Sequence, residues 1–311
     1  MFEALKRFNF GENFIKWVHI LYTNPIFRIK NNGWISKTCM MQRGIRQGCP
    51  ISAILFLFVA EILGISIRNN PSIQGFQKEG MDNDIRIIQH ADDSTLPMKN
   101  EKSLKKALEV INDYSIVSGM RLNMSKTECI LTGPLKNRYK KLHNVNVNIT
   151  CIKVLGVYIG HNKEMCLRNN WTKITSDVEK LFESWKTRNL TIFGKVCIIN
   201  SLVISKIIYI ASILNLPDPT IIKDFQRRIF NFIWNKRDRI KRNTLIGTVD
   251  NGGIGVVDIL SKIKSIRTSW IKQILNKRSP LYPFVNSICV ENDYDLGYLV
   301  KTNITDIKQY I

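Results

Sequence analysis

Apolar positions recur at helical spacing at Phe14, Trp17, Val18 and Leu21, which predicts a helix ending near Tyr22-Thr23-Asn24-Pro25. From Ile26 to Met41 the pattern changes to alternation around Asn31-Asn32-Gly33, the signature of a β-hairpin with its turn there. Pro50 opens an apolar segment, Ile51–Ile67, whose charged interruption is Glu61. Proline suits a first helical turn because the N–H it lacks would have no partner there, so a buried helix is expected. Ile85–Gln89 reads as a strand, with His90-Ala91-Asp92-Asp93-Ser94 at its tip and Thr95–Met98 as the returning strand. Leu104, Leu108, Ile111 and Tyr114 give Glu101–Ser118 a helical period, and Gly119 suits the left-handed stop after it. Leu122–Leu131 and Val154–Ile159 read as further short strands.

From Trp171 onward the pattern is almost wholly helical. The change near residue 165 predicts two domains, an α+β part over 1–165 and a mainly α-helical part over 166–311. The apolar stretch Leu190–Pro217 is broken by Lys195 and Lys206 into pieces expected to be core helices and not membrane spans, which need ~20 apolar residues. No internal repeat is visible.

The charge balance narrows the functional classes. Forty-six Lys+Arg against 25 Asp+Glu give a net charge of +21 over 311 residues. Such a chain attracts polyanions, and cations spread along the whole length favour nucleic acid over a membrane surface. Seven cysteines, with no C-x-x-C pair among them, fit neither a disulfide framework nor a zinc ribbon. They are expected as reduced thiols in a nuclear or cytoplasmic protein. The start, Met1-Phe2-Glu3, lacks the pattern of a secretory signal, so secretion is not expected.

Two sites carry candidate chemistry. Asp92-Asp93 lies in a short turn between strands, where adjacent carboxylates can reach a shared hard cation of the kind that assists phosphoryl transfer. Alone, such a pair is usually a solvated turn. Upstream, Arg43-Gly44-Ile45-Arg46-Gln47-Gly48-Cys49-Pro50-Ile51-Ser52 joins two guanidinium groups, an amide and two glycines to a helix start. Glycine permits close backbone approach, arginine offers a fork for phosphate, and a helix start favours anions.

These residues resemble the blocks of LINE-type (non-LTR retrotransposon) reverse transcriptases. The segment Arg43–Ser52 is similar to R-G-x-R-Q-G-C-P-x-S, and His90-Ala91-Asp92-Asp93 to the aromatic-A-D-D block, with His90 in the aromatic position. Gly119–Thr127 resembles G-L-x-x-N-x-x-K-[ST], and Val154-Leu155-Gly156-Val157 resembles Y-L-G-I. Four blocks in one order outweigh any single one. Phe232-Ile233-Trp234-Asn235 and Asn251–Val256 are similar to the family's region beyond the palm. Viral RNA polymerases usually place Gly where Ala91 stands.

The resemblance implies a polymerase-type palm, an antiparallel sheet with packed helices, followed by a mainly helical thumb and C-terminal region. It implies an RNA template, a DNA primer, deoxynucleoside triphosphates and Mg²⁺. On the matching positions, Asp92 and Asp93 become metal ligands, and Arg43, Arg46, Gln47 and Gly48 face nucleotide or template. Lys126 becomes a proton donor to pyrophosphate, although a surface lysine is an equal reading. Leu155 and Gly156 become a primer-positioning hairpin, or simple packing residues. The family's first catalytic Asp precedes the helix in which the sequence opens, so the isolated chain is expected to be inactive.

Ile221, Ile222, Phe225, Ile229, Phe232 and Ile233 form an apolar helical stripe. Arg227 and Arg228 lie off it, and Lys236, Arg237, Arg239, Lys241 and Arg242 follow. A basic helix edge suits a nucleic-acid backbone; a solvated charged face is the alternative. Trp234 could stack on a base or fill the core. The readings that compete are a polymerase, a catalytically dead nucleic-acid-binding remnant, and a basic scaffold.

Overall fold

The computed structural model describes residues 1–41, 44–78, 81, 83–136, 138–214, 219–234, 238–279 and 281–291. Backbone proximity divides the chain into two compact units, Met1–Ser125 and Lys126–Ile311. By compactness the division falls at Ser125.

The first unit opens with α1 (Phe2–Arg7) and α2 (Glu12–Tyr22). Thr23 ends α2 by donating its hydroxyl to the His19 carbonyl at 2.7 Å. The expected hairpin follows as β1 (Ile26–Phe27), β2 (Lys30–Asn31), β3 (Trp34–Ile35) and β4 (Cys39–Met40). Asn32 and Gly33 make its turn, both at positive φ (47° and 89°), as a tight two-residue hairpin loop requires. Phe27 pairs with Cys39, while Lys30 pairs with Ile35 and Ile29 accepts from the Ser36 N–H. One residue, Arg28, thus faces two, Lys37 and Thr38, and the return strand carries a β-bulge.

α3 (Pro50–Arg68) begins at proline as expected. It is not buried all round, however. Leu55 joins Leu5 and Val18 in one small core, and Ile67 joins Ile73, Ile87 and Ala107 in another. Ile54 and Leu57 on other faces are 52% and 60% exposed. The C-terminal end is held by Arg86, which donates to the carbonyls of Arg68 (2.6 Å) and Asn70 (2.9 Å) and pairs with Asp84 at 2.9 Å.

The next hairpin, β5 (Ile88–His90) and β6 (Asp93–Thr95), is antiparallel, with His90 opposite Asp93. Its returning strand starts at Asp93, two residues before the expected Thr95. α4 (Glu101–Ser118) has the predicted bounds. The Asn100 side chain accepts from the Ser103 N–H at 2.8 Å, and Gly119 at φ 74° closes it in the left-handed region.

In the second unit, β7 (Glu128–Cys129), β8 (Lys141–Leu142) and β9 (Val145–Val147) form a sheet in the order β7-β9-β8. The strand expected over Leu122–Leu131 shrinks to β7. Val154–Ile159, expected as one strand, is instead the middle of a hairpin between β10 (Cys151–Val154) and β11 (Val157–Gly160). Leu155 and Gly156, at φ 47° and 86°, are its two turn residues.

Helices follow: α5 (Lys163–Lys186), α6 (Ile192–Ile198), α7 (Ile204–Ile213), α8 (Pro219–Trp234), α9 (Arg242–Ile246), α10 (Ile259–Leu275) and α11 (Leu281–Glu291). A π-helical turn, Ile199–Val203, joins α6 to α7. It presents Asn200, whose amide donates to the Gly255 carbonyl (2.8 Å) and accepts from the Val257 N–H (3.2 Å). One core runs through this unit, from Trp171, Val178 and Phe182 through Ile199, Val203 and Ile207 to Phe225, Ile229, Ile259 and Ile263. The α8 stripe faces it as the spacing predicts. Pro50–Arg68 and Ile192–Ile213 are each long and apolar enough to cross a membrane by length and composition. The expectation that Lys195 and Lys206 make the second run too short fails, because the π turn keeps it continuous; Val196, Ile199, Val203 and Ile207 on it serve the core.

Candidate active site

In the first unit both candidate elements are attached to α3. The loop Gly44–Cys49 leads into its N-terminus, with Gly44 at φ 88° and Gly48 at φ 83°. An L side chain at either position would be strained although nothing crowds it, so the glycines serve the path of the backbone. Arg46 lies with its guanidinium 6.0 Å from the Tyr22 ring, and the Tyr22 hydroxyl shares a 2.6 Å hydrogen bond with Ser52. Arg46, Gln47 and Gly48 are exposed. Cys49 precedes Pro50, and the Ile51 N–H, the Ser52 hydroxyl and Arg46 hold its thiol below the ordinary range. Arg43 lies outside the described residues.

The β5–β6 hairpin is fixed to the same helix by Gln89. Its side-chain amide donates to the Ala60 carbonyl at 3.3 Å. Gly64 makes room: a Cβ there would stand 2.8 Å from the Gln89 oxygen and from Arg68. From Pro50 to Ala60 is about 15 Å along a helix axis, so one rigid rod carries both the basic loop and the base of the hairpin. Tyr114 of α4 braces it by donating to the Val59 carbonyl at 3.0 Å, and burial pushes the Tyr114 phenol up.

At the tip, Ala91 takes φ 52°, and Asp92 and Asp93 are exposed. Asp92 is a turn residue and Asp93 the first residue of β6. Their carboxylate oxygens are the hard donors that Mg²⁺ prefers. Among the described residues, though, no three His, Cys, Asp or Glu side chains come together as a metal-binding group. The donor chemistry fits the ion, but the donor number falls short of a complete ligand set.

In the second unit Lys126 is exposed in the turn before β7. The Leu155-Gly156 turn is held at two points. Asn170 of α5, only 2% exposed, accepts from the Tyr158 N–H and donates to the carbonyls of Tyr158 and Cys166, at 2.8–2.9 Å. The Tyr209 hydroxyl of α7 donates to the Leu155 carbonyl at 2.5 Å. These ties place the hairpin with the helices. Sequence reading missed both residues, although Asn170 left a signal: it is a polar intruder in the apolar stripe Asn170, Ile174, Val178. Beside it, Lys173 and burial hold the Lys153 ammonium below its ordinary range, opposed by Asp177.

The expected basic edge is only partly available. Arg228 pairs with both Asp224 and Glu179, and Arg227 pairs with Asp224. Burial alone would raise the Asp224 carboxyl, but Arg228 and Arg227 hold it down. Arg227 and Asp224 also line a groove of about 1290 Å³ between α5 and α8, where acidic Glu164 and Glu179 balance Arg168 and Lys223. Arg242 pairs with Asp238 at 2.8 Å and covers the Phe230 ring. Arg239 and Lys241 are exposed, while Lys236 and Arg237 lie outside the described residues. Trp234 is 9% exposed, which favours the core reading over stacking. All seven cysteines carry free thiols.

Comparison with known proteins agrees with the motif blocks. Residues 1–159 match the family described as reverse transcriptase (RNA-dependent DNA polymerase). The chain is 27% identical over 276 residues to the transposon TX1 uncharacterized 149 kDa protein of Xenopus laevis, covering 88% of the chain and 21% of that protein. It is 26% identical over 163 residues to the Retrovirus-related Pol polyprotein from type-2 retrotransposable element R2DM of Drosophila melanogaster, with 52% of the chain and 14% of the relative covered. A third relative is the Retrovirus-related Pol polyprotein from type-1 retrotransposable element R2 of Popillia japonica, 26% identical over 168 residues, or 51% of the chain and 23% of that protein. The chain thus spans about a fifth of the length of the curated relatives it matches.

Proposed function

The chain belongs to the reverse transcriptase family, in its non-LTR retrotransposon branch, and from that premise we propose that it is the palm and helical continuation of an RNA-directed DNA polymerase. Residues 1–165 act as part of the palm and 166–311 as thumb and C-terminal region. The observation that carries the reading is the common mounting of the Gly44–Cys49 loop and the Asp92-Asp93 hairpin on α3.

In this reading the exposed loop binds the incoming deoxynucleoside triphosphate against an RNA template. Arg46 supplies a charged fork for phosphate, and the backbone at Gly48 allows close approach. Asp92 and Asp93 present carboxylate oxygens at the hairpin tip and hold Mg²⁺ together with a further ligand. When bound, the ion supplies charge stabilisation for nucleotidyl transfer. Lys126 donates a proton to the departing pyrophosphate. The Leu155-Gly156 turn positions the DNA primer, kept rigid by Asn170 and Tyr209. Lys236, Arg237, Arg239 and Lys241 attract the nucleic-acid backbone with Arg43 of the loop; Arg227, Arg228 and Arg242 contribute less because carboxylates already neutralise them. The protein works in the nucleus or cytoplasm without a membrane.

The exposed Arg46, Arg239 and Lys241, which attract a polyanion with or without a metal site, favour one second reading, a nucleic-acid-binding remnant without catalysis. Primer extension on an RNA template with Mg²⁺ separates the two. Template-directed incorporation that Asp92→Asn lowers roughly 10³-fold or more supports the polymerase. Retained primer–template binding without incorporation supports the remnant. Absence of both binding and incorporation at low salt sinks both.

A further inference from the structure

Two of the seven thiols are brought together at the joint between β11 and α5. Cys151 stands at the start of β10, opposite Gly160 at the end of β11. The His161 N–H donates to the Thr150 carbonyl at 3.0 Å, and the Asn162 carbonyl accepts from the Cys166 N–H at 2.9 Å. The chain therefore passes from the strand beside Cys151 straight into the first turn of α5. Asn169, one turn beyond Cys166, donates its amide to Cys151 Sγ at 3.9 Å, so residues 166 and 169 share the face of α5 that meets β10. The Cys166 thiol lies against the Cys151 thiol, close enough for the two to hydrogen-bond. Both are buried, Cys166 at 5% exposure and Cys151 at 9%. Thr150 also turns its hydroxyl to Cys151 Sγ, at 4.0 Å. Thiols packed only as small apolar groups need no such donors.

We propose that Cys151 and Cys166 are a dithiol that hydrogen peroxide closes to a disulfide, tying the β10–β11 hairpin to α5. Peroxide is small enough to reach a thiol that a larger oxidant could not. Its O–O bond breaks as the Cys151 sulfur takes one oxygen, which leaves a sulfenic acid and one water. The Cys166 sulfur then attacks the Cys151 sulfur, the S–O bond breaks, and the hydroxyl departs with the Cys166 proton as a second water. Two thiols lose two electrons, and the peroxide gains them. Burial, and Cys151 beside it, hold the Cys166 thiol above its ordinary range. A thiol kept protonated is a poor first nucleophile, so the first step falls to Cys151, the more exposed of the two. In a reducing compartment the pair rests as thiols, and a bridge there is transient, as redox-sensing bridges are. The inference stands apart from the polymerase reading, because the thiols meet whether or not the Leu155-Gly156 turn touches a primer.

Peptide mass mapping tests it: the purified, folded chain is treated with hydrogen peroxide at neutral pH, its remaining thiols are alkylated, and it is digested without reduction. The expected product is a Cys151–Cys166 link that dithiothreitol reverses. It is expected equally in a chain whose exposed thiols are removed by Cys39→Ser with Cys197→Ser. Cross-linking a loop as short as that from Cys151 to Cys166 is expected to shift the unfolding equilibrium in urea roughly 100-fold toward the folded form. Cys166→Ser is expected to stop Cys151 at the sulfenic acid, which a dimedone tag detects. Circular dichroism checks that each variant is folded. Recovery of both cysteines as thiols, a link that forms only in urea-unfolded chain, or an oxidised chain no more stable than the reduced one would each overturn the proposal.

Discussion

The second unit gathers its apolar side chains into one core that links α5, the π turn, α7, α8 and α10. The first keeps two small clusters at opposite ends of α3 and leaves Trp17, Ile20, Trp34, Ile54 and Leu57 largely in water. In the second unit cohesion dominates, although Phe193, Ile213 and Val249 are exposed there too; in the first, surface does. A scaffold needs the former. An element that must receive nucleic acid, or further protein, needs the latter, and accepts a smaller margin of stability in return.

The contrast can be broken most forcefully in the second core. Phe225→Ala, at a site 1% exposed, is expected to cost about 3–5 kcal/mol in urea denaturation and to lower the melting of that unit. Loss of far less would mean the core is not continuous. Next, Asn170→Ala removes three hydrogen bonds and strands the Tyr158 N–H and carbonyl; about 2–3 kcal/mol is expected. Hydrogen exchange at Tyr158 reports it directly, and unchanged protection there would show that the Asn170 clamp is dispensable.

The first unit is sharpened by pH. Burial opposes ionisation of Asp84, but Arg86 and the Gly75 N–H outweigh it and hold the carboxyl below its usual value. A depressed folded value stabilises the protein above the unfolded value of 3.8, and that stability is lost as pH falls through the folded one. The first unit is therefore expected to lose stability below about pH 4, and Asp84→Asn to flatten that part of the profile. A melt that keeps the same acid dependence in the variant would move the cause elsewhere. Smallest of all, Trp34→Ala is expected to shift stability by no more than about 0.5 kcal/mol, because its indole packs on little. A larger loss would mean that the hairpin is a structural element.

What the sequence made legible follows from local rules. Asn32-Gly33 and Gly119 fix their turns through backbone conformation alone, and α4 kept its predicted bounds. The α8 stripe was readable because one face meets one core. The errors came where tertiary partners decide. Ile51–Ile67 looks like a buried helix because composition does not reveal which faces find a partner. Leu155 is an uncommon residue at positive φ, so the pattern of Val154–Ile159 read as one strand, and the hairpin at Leu155-Gly156 was legible only from the family resemblance. The Arg228–Glu179 pair was equally hidden, since Glu179 comes from another helix, whereas Asp224 stands at i,i+3 and i,i+4 spacing from Arg227 and Arg228 on α8 itself. Asp92-Asp93 was visible from its motif, whereas the Gln89 and Gly64 contact that mounts it on α3 was not.

The wide turn Ile199–Val203 also limits how the gene can change. An α-helix advances about 100° per residue. A π turn takes one residue more than an α turn, so deleting one residue there would let α6 and α7 merge into a regular helix with their phase kept. The loss would fall on Asn200, whose amide would give up the Gly255 carbonyl and the Val257 N–H. Insertions and deletions should therefore accumulate in the connecting loops of the second unit and be purged from this five-residue stretch, even though its side chains touch no substrate in the proposed reaction.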